Sequence, residues 1–127
     1  MKTSYFGNLK NIEVPLSISQ FPPKWYNGPE LKMLAPPRKL LLDTKKGVVS
    51  DEEYTKIFRE HLSQFDPKEL YEAIVEEYGN DVTLLCYEKP GDFCHRRLVA
   101  EWFTNALEVE IPEWKKPEVK RKTTLVF

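Results

Sequence analysis

Two thiols, an imidazole, two guanidinium groups and three carboxylates crowd into residues 84–103, LLCYEKPGDFCHRRLVAEWF, a stretch that otherwise reads as a buried strand and a buried helix. Cys94 stands where the helix begins, beside His95 and Arg96. Such surroundings lower a thiol pKa and favour the nucleophilic thiolate. Glu88, just past the strand, suits proton transfer or hydrogen bonds to a ribose or a nucleobase edge. Arg96 offers a planar fork matched to carboxylate or phosphate. Glu88, Cys94 and His95 are therefore the candidate catalytic residues, with Arg96 and Cys86 as candidate ligand contacts. Each also has a purely structural alternative: His95 as a core histidine, the cysteines as small apolar fillers, and Glu88 as an ion-pair partner of Arg96 or Arg97.

Other chemistries fit less well. Cys86, Cys94 and His95, with His61 as a fourth ligand, invite zinc, but the spacing is not that of short Cys-x-x-Cys loops and His61 falls on an apolar helix face. No metal and no cofactor is expected. Glycine-rich phosphate loops are absent from the sequence. A phosphatase-type loop requires arginine where Asp92 stands.

The elements around these residues follow from periodicity. VTLLCY is a continuous apolar run, as expected of a central parallel strand covered on both faces. From Cys94 onward, Leu98, Val99, Trp102, Phe103, Ala106 and Leu107 form a one-sided helical stripe. At about 100° per residue, His95 joins that buried stripe, Arg96 lies on its flank and Arg97 turns toward solvent. In an open parallel sheet, ligands bind beyond the carboxyl ends of the strands, where helix N-termini present unpaired N–H groups.

Upstream, Val14, Leu16 and Ile18 alternate with polar or proline positions as in a short strand. Its end runs into FPPKWYNGP, a proline-rich loop expected to bring Gln20, Lys24, Trp25 and Tyr26 near the surface as ligand contacts, or to cover the end of the core. A short helix from about Pro37 stops before Gly47. Ser50 and Glu53 form a capping box ahead of Tyr54, Ile57, Phe58, His61, Leu62 and Phe65. Asp66, Pro67 and Glu69 open a third helix that Gly79 closes. KTSYF suits a first strand, and KKPEVKRKTTLVF an edge strand or partner-binding end. The expected architecture is α/β: a small three-layer sandwich with a mostly parallel open sheet.

Composition limits the partners. The 127 residues fit a single domain spanning 1–127, with a basic tail at 110–127, and the formal charge of -1 supplies no overall field for nucleic acid or anionic membrane. Nucleic acid is expected only through a local contact. No run approaches the roughly 18 apolar residues of a bilayer span, and no signal peptide is evident, so a cytoplasmic protein with no membrane partner is expected. In that reducing compartment both thiols are expected to be free or bound to another group, and not paired in a disulfide scaffold.

LLCYEKPGDFCHRRLVAEW resembles the signature of the domain of unknown function 488 family, found in bacteria, archaea and phages: a strand ending in Cys-x-Glu, then Cys-His-Arg at a helix start. Cys86, Glu88, Cys94, His95 and Arg96 fall on that motif. SISQFPPKWYNGPELKMLAP and SDEEYTKIFREHLSQFDP resemble its compact branch, and the likeness spans roughly residues 1–108. It implies an α/β sandwich with a pocket between the Cys-x-Glu loop, the helix start and the loop after the early strand. Many longer members carry Asp-x-Arg where Ser17 and Ser19 stand here, with Gln20 next. This departure weakens mechanisms needing two opposed carboxylates. The expected function is binding, and processing, of a small anionic, nucleotide-like ligand; a catalytically silent nucleotide- or nucleic-acid-binding module and a protein-interaction domain are the alternatives.

Overall fold

The computed structural model describes residues 1–88 and 93–116. Three strands, β1 (Lys2–Tyr5), β2 (Pro15–Ser17) and β3 (Thr83–Cys86), and four α-helices, α1 (Arg38–Lys45), α2 (Asp51–Leu62), α3 (Pro67–Tyr78) and α4 (His95–Leu107), make up the regular structure of these residues, with 3-10 turns at Phe6–Asn11 and Lys32–Leu34. The sheet is open and parallel in the order β1-β3-β2, so the apolar run is the central strand, as its composition implies. Thr3 and Leu16 flank Leu84, and Ser4 and Ser17 flank Leu85. All four residues of β3 are buried.

The two faces of β3 serve two cores. Leu84 joins Leu16, Ile18, Phe58, Leu62, Val99 and Phe103 beneath the helices. Leu85 joins Phe6, Ile12 and Tyr26 on the opposite face, which the first 3-10 turn and the aromatic loop cover in place of α-helices. Burial of each large side chain contributes about 1.5–3 kcal/mol. α4 packs on β1 and β3 and is flanked by α2 and α3.

Local signals set the helix limits. Ser50 accepts the Glu53 N–H at 3.1 Å and Glu53 returns to the Ser50 N–H, completing the capping box of α2. Asp66 accepts from the Lys68 and Glu69 N–H groups, Pro67 occupies the first turn of α3, and Gly79 ends it at φ 90°, a conformation that disfavours other residues. Two residues of the α2 stripe depart from expectation. Ile57 is exposed, and His61 is half-buried, stacked on Phe58 with its Nε2 at 2.8 Å from the Met33 carbonyl.

β2 is shorter than the alternation suggested. Ile18 still donates to the Leu85 carbonyl, but the chain then turns through Ser19 into a loop whose prolines lack the N–H a ladder needs. In that loop Tyr26, expected near the surface, is buried: its hydroxyl donates to the Pro29 carbonyl at 2.7 Å and burial pushes its pKa up to about 12. Gly28 is required there, because a Cβ would stand 2.6 Å from Tyr26 Cζ.

After α4 the chain returns along β1, where Thr3 donates to the Pro112 carbonyl and Trp114 donates to that of Thr3. The expected edge strand in the basic tail falls on residues 117–127, outside the described residues.

Candidate functional site

A cavity of about 440 Å³ opens beyond the carboxyl ends of β2 and β3. Four aromatic residues from separate segments form its wall: Phe21 after β2, Tyr54 on α2, Tyr87 after β3 and Phe93 before α4. Tyr54 and Phe93 meet edge to face with centroids 5.1 Å apart. The Tyr87 hydroxyl donates to the Phe21 carbonyl, tying the loops after β2 and β3 together. Polar groups are few: Ser19, Gln20, Thr44, Lys45 and Glu88. Cys94 and His95 complete the lining at the start of α4.

Glu88 is exposed on this cavity and, among the described residues, takes part in no ion pair. Burial, together with the Glu88 charge, pushes the Tyr54 and Tyr87 phenols above their ordinary range. Both therefore remain protonated hydroxyls at neutral pH.

His95 is buried, with Nε2 2.6 Å from the Ile18 carbonyl. A carbonyl only accepts, so Nε2 carries the proton and Nδ1 keeps its lone pair. Nδ1 faces Cys94 Sγ at 3.9 Å. Burial pushes the imidazole down to about 4, against the hydrogen bond to Ile18, and Arg96 adds to the lowering. His95 is thus neutral at physiological pH, which removes one cation from the site expected at the helix start.

Arg96 corrects a second expectation. It does not line the cavity: its side chain is 1% exposed and grips Glu113 with two parallel bonds, Nε at 3.0 Å and one terminal nitrogen at 2.9 Å. The other terminal nitrogen donates to Cys86 Sγ at 3.0 Å and to the Glu88 carbonyl oxygen. Its flank position on α4 directs it inward across the end of β3, where each of its three nitrogens finds a partner inside the protein. Arg97 is exposed, as its position on the helix implied, yet it reaches Thr3 Oγ1 and the Ile111 carbonyl. Thr3 in turn donates to Glu113 at 2.6 Å.

The cysteines correct a third. Cys86 and Cys94 are joined as a disulfide, where thiols free or bound to another group were expected. Cys86 is fully buried and outside the cavity, whereas Cys94 caps α4 and lines it. The donor atoms of Cys86, Cys94 and His95 lie within 4.8 Å of one another, but the disulfide occupies both sulfurs. His61 belongs to a different contact, at Met33 and Gln64.

Of the loop residues, Gln20 lines the cavity while Lys24 and Trp25 do not. Lys24 is exposed, and Trp25, 58% exposed, stands edge-on to Phe6 at 6.3 Å. Ser19, at one Asp-x-Arg equivalent, lines the cavity, and Ser17, at the other, is buried with its hydroxyl accepting from the Ser19 N–H. Sequence reasoning missed the four wall aromatics Phe21, Tyr54, Tyr87 and Phe93, together with Lys45 and Glu113. Tyr54 carried a signal, being an aromatic residue on a helix face predicted to meet the core, whereas Phe93 stands just ahead of the predicted α4 stripe. Glu113, in a segment without periodicity, carried none.

Comparison with curated proteins gave no match, and comparison with solved structures gave none either. A family model described as the active DUF488-N3 subclade, DUF488-N3a, matches residues 14–107, a span that holds β2, β3, all four helices and the whole cavity lining. The chain belongs to the DUF488 family.

Proposed function

We propose that the chain binds and processes a small nucleotide-like ligand in the cavity at the carboxyl edge of the sheet. The observation that carries this reading is the lining itself: four aromatic residues around about 440 Å³, with Glu88 the one carboxylate among the described lining residues. Aromatic faces suit a flat heterocycle. A carboxylate accepts hydrogen bonds from ring N–H groups or from a ribose, and can take up a proton during a reaction. The anionic portion is directed to Lys45, the basic side chain among the described lining residues, not to Arg96, each of whose three nitrogens has a partner within the protein. The description of the matched family as an active subclade favours turnover over silent binding.

A thermal-shift series with nucleoside monophosphates tests the reading. A binding nucleotide raises the melting temperature, Lys45→Ala and Tyr54→Ala reduce the rise, and Trp25→Ala leaves it intact. Glu88→Gln keeps the shift and abolishes conversion of the nucleotide followed by chromatography. If Trp25→Ala removes the shift while Tyr54→Ala does not, the ligand lies on the outer aromatic loop and the cavity is not its site.

A further inference from the structure

We infer that Cys94 and Cys86 form a working dithiol–disulfide couple, with Cys94 the attacking and Cys86 the resolving thiol, that exchanges with low-molecular-weight disulfides admitted through the cavity. The inference is independent of the nucleotide reading.

Three asymmetries assign the roles. Cys94 lines the cavity and Cys86 is 0% exposed, so only the first sulfur meets an incoming molecule. Cys94 is also the N-cap of α4, a 13-residue helix whose N-terminal partial charge favours a thiolate, and His95 Nδ1 lies 3.9 Å from its sulfur. The fixed Nε2–H contact to Ile18 keeps that Nδ1 lone pair turned toward the sulfur, ready to accept the S–H. Cys86 instead receives an Arg96 N–H at 3.0 Å, a charge-assisted donor that steadies negative charge on a leaving sulfur.

The exchange balances in two steps. The Cys94 thiolate attacks a disulfide RSSR: a Cys94–SR bond forms, the RS–SR bond breaks, and one RS⁻ leaves and takes a proton. The Cys86 thiolate then attacks Cys94 Sγ, closing the Cys86–Cys94 bond and expelling the second RS⁻. The protein loses two electrons and two protons, and RSSR becomes two RSH. In reverse, a thiol attacks Cys94 from the cavity and Cys86 departs as the thiolate beside Arg96.

Glutathione and its disulfide serve as the probe. Equilibrated in glutathione buffers of graded ratio and acid-quenched, the wild-type chain is expected to pass through one transition between the dithiol and the internal disulfide, read by alkylation and mass spectrometry. Cys86→Ser, treated with glutathione disulfide, is expected to retain one glutathione on Cys94, and Cys94→Ser none. Dithiothreitol should release the adduct. The inference is overturned if the wild-type chain shows no two-thiol transition, if the adduct forms on Cys86 in preference to Cys94, or if the reduced chain holds stoichiometric zinc on elemental analysis that glutathione disulfide does not displace. The wild-type titration requires no variant to fold. Loss of the nucleotide response with the thiol transition preserved would count against the proposed function alone.

Discussion

His95 shows at the scale of one side chain what burial does to a titratable group. Its folded pKa of about 4 lies below the ordinary 6.5, so the folded state resists protonation more than the unfolded chain does. The resulting stability is complete above pH 6.5 and is lost as pH falls through that value toward 4, by about 3 kcal/mol in all. Urea denaturation at pH 7 and at pH 4.5 should show this decline, and His95→Gln should flatten it. Arg96 is the other decisive residue. Its buried charge depends on Glu113, so Glu113→Ala should cost about 3–5 kcal/mol by leaving the guanidinium unpaired. A replacement of both residues by apolar side chains of similar volume should cost much less, measured in the same denaturation series.

At the scale of elements, the caps are simple local devices with local costs. Ser50→Ala removes the acceptor for the Glu53 N–H and should lower stability by about 1 kcal/mol without altering the cavity, which chemical denaturation and a nucleotide thermal shift would check together. Gly28→Ala belongs to a different class. Its methyl group meets the Tyr26 ring, which is held by its bond to Pro29, so the loop must rearrange and Tyr26 fluorescence should report greater exposure. Capping, helical stripes and the apolar run of β3 were legible in the sequence because each is set by residues a few positions apart. β2 was legible in position and not in length, since the pairing of its last residues depends on a loop that bridges Ser17 to Glu30.

Over the whole molecule, what escaped the sequence was whatever joins distant segments. Glu88, Cys94 and His95 line one cavity at the strand–helix junction, while Cys86, bonded to Cys94, stays outside it. The aromatic wall does not follow from the spacing of these residues, because Phe21, Tyr54 and Phe93 approach from three parts of the chain. Nor does the seizure of Arg96 by Glu113, which lies 17 positions on. That pairing also reshapes the electrostatics: Lys45 is the basic side chain lining the cavity among the described residues, against Glu88. Nucleotide affinity should accordingly respond weakly to salt, falling less than about tenfold between 50 and 200 mM in a titration, where a site neutralising many phosphates would lose far more.

β3 carries neighbouring leucines into opposite cores and delivers Cys86 to Arg96 at its end. Side chains alternate along a strand, so one extra residue inserted ahead of Leu84 would exchange the two leucines between hemispheres and rotate the terminal sulfur by half a turn, away from the guanidinium. Length in this strand is therefore a phase, and the reactive end of the molecule tolerates substitution within it far better than it tolerates a slip.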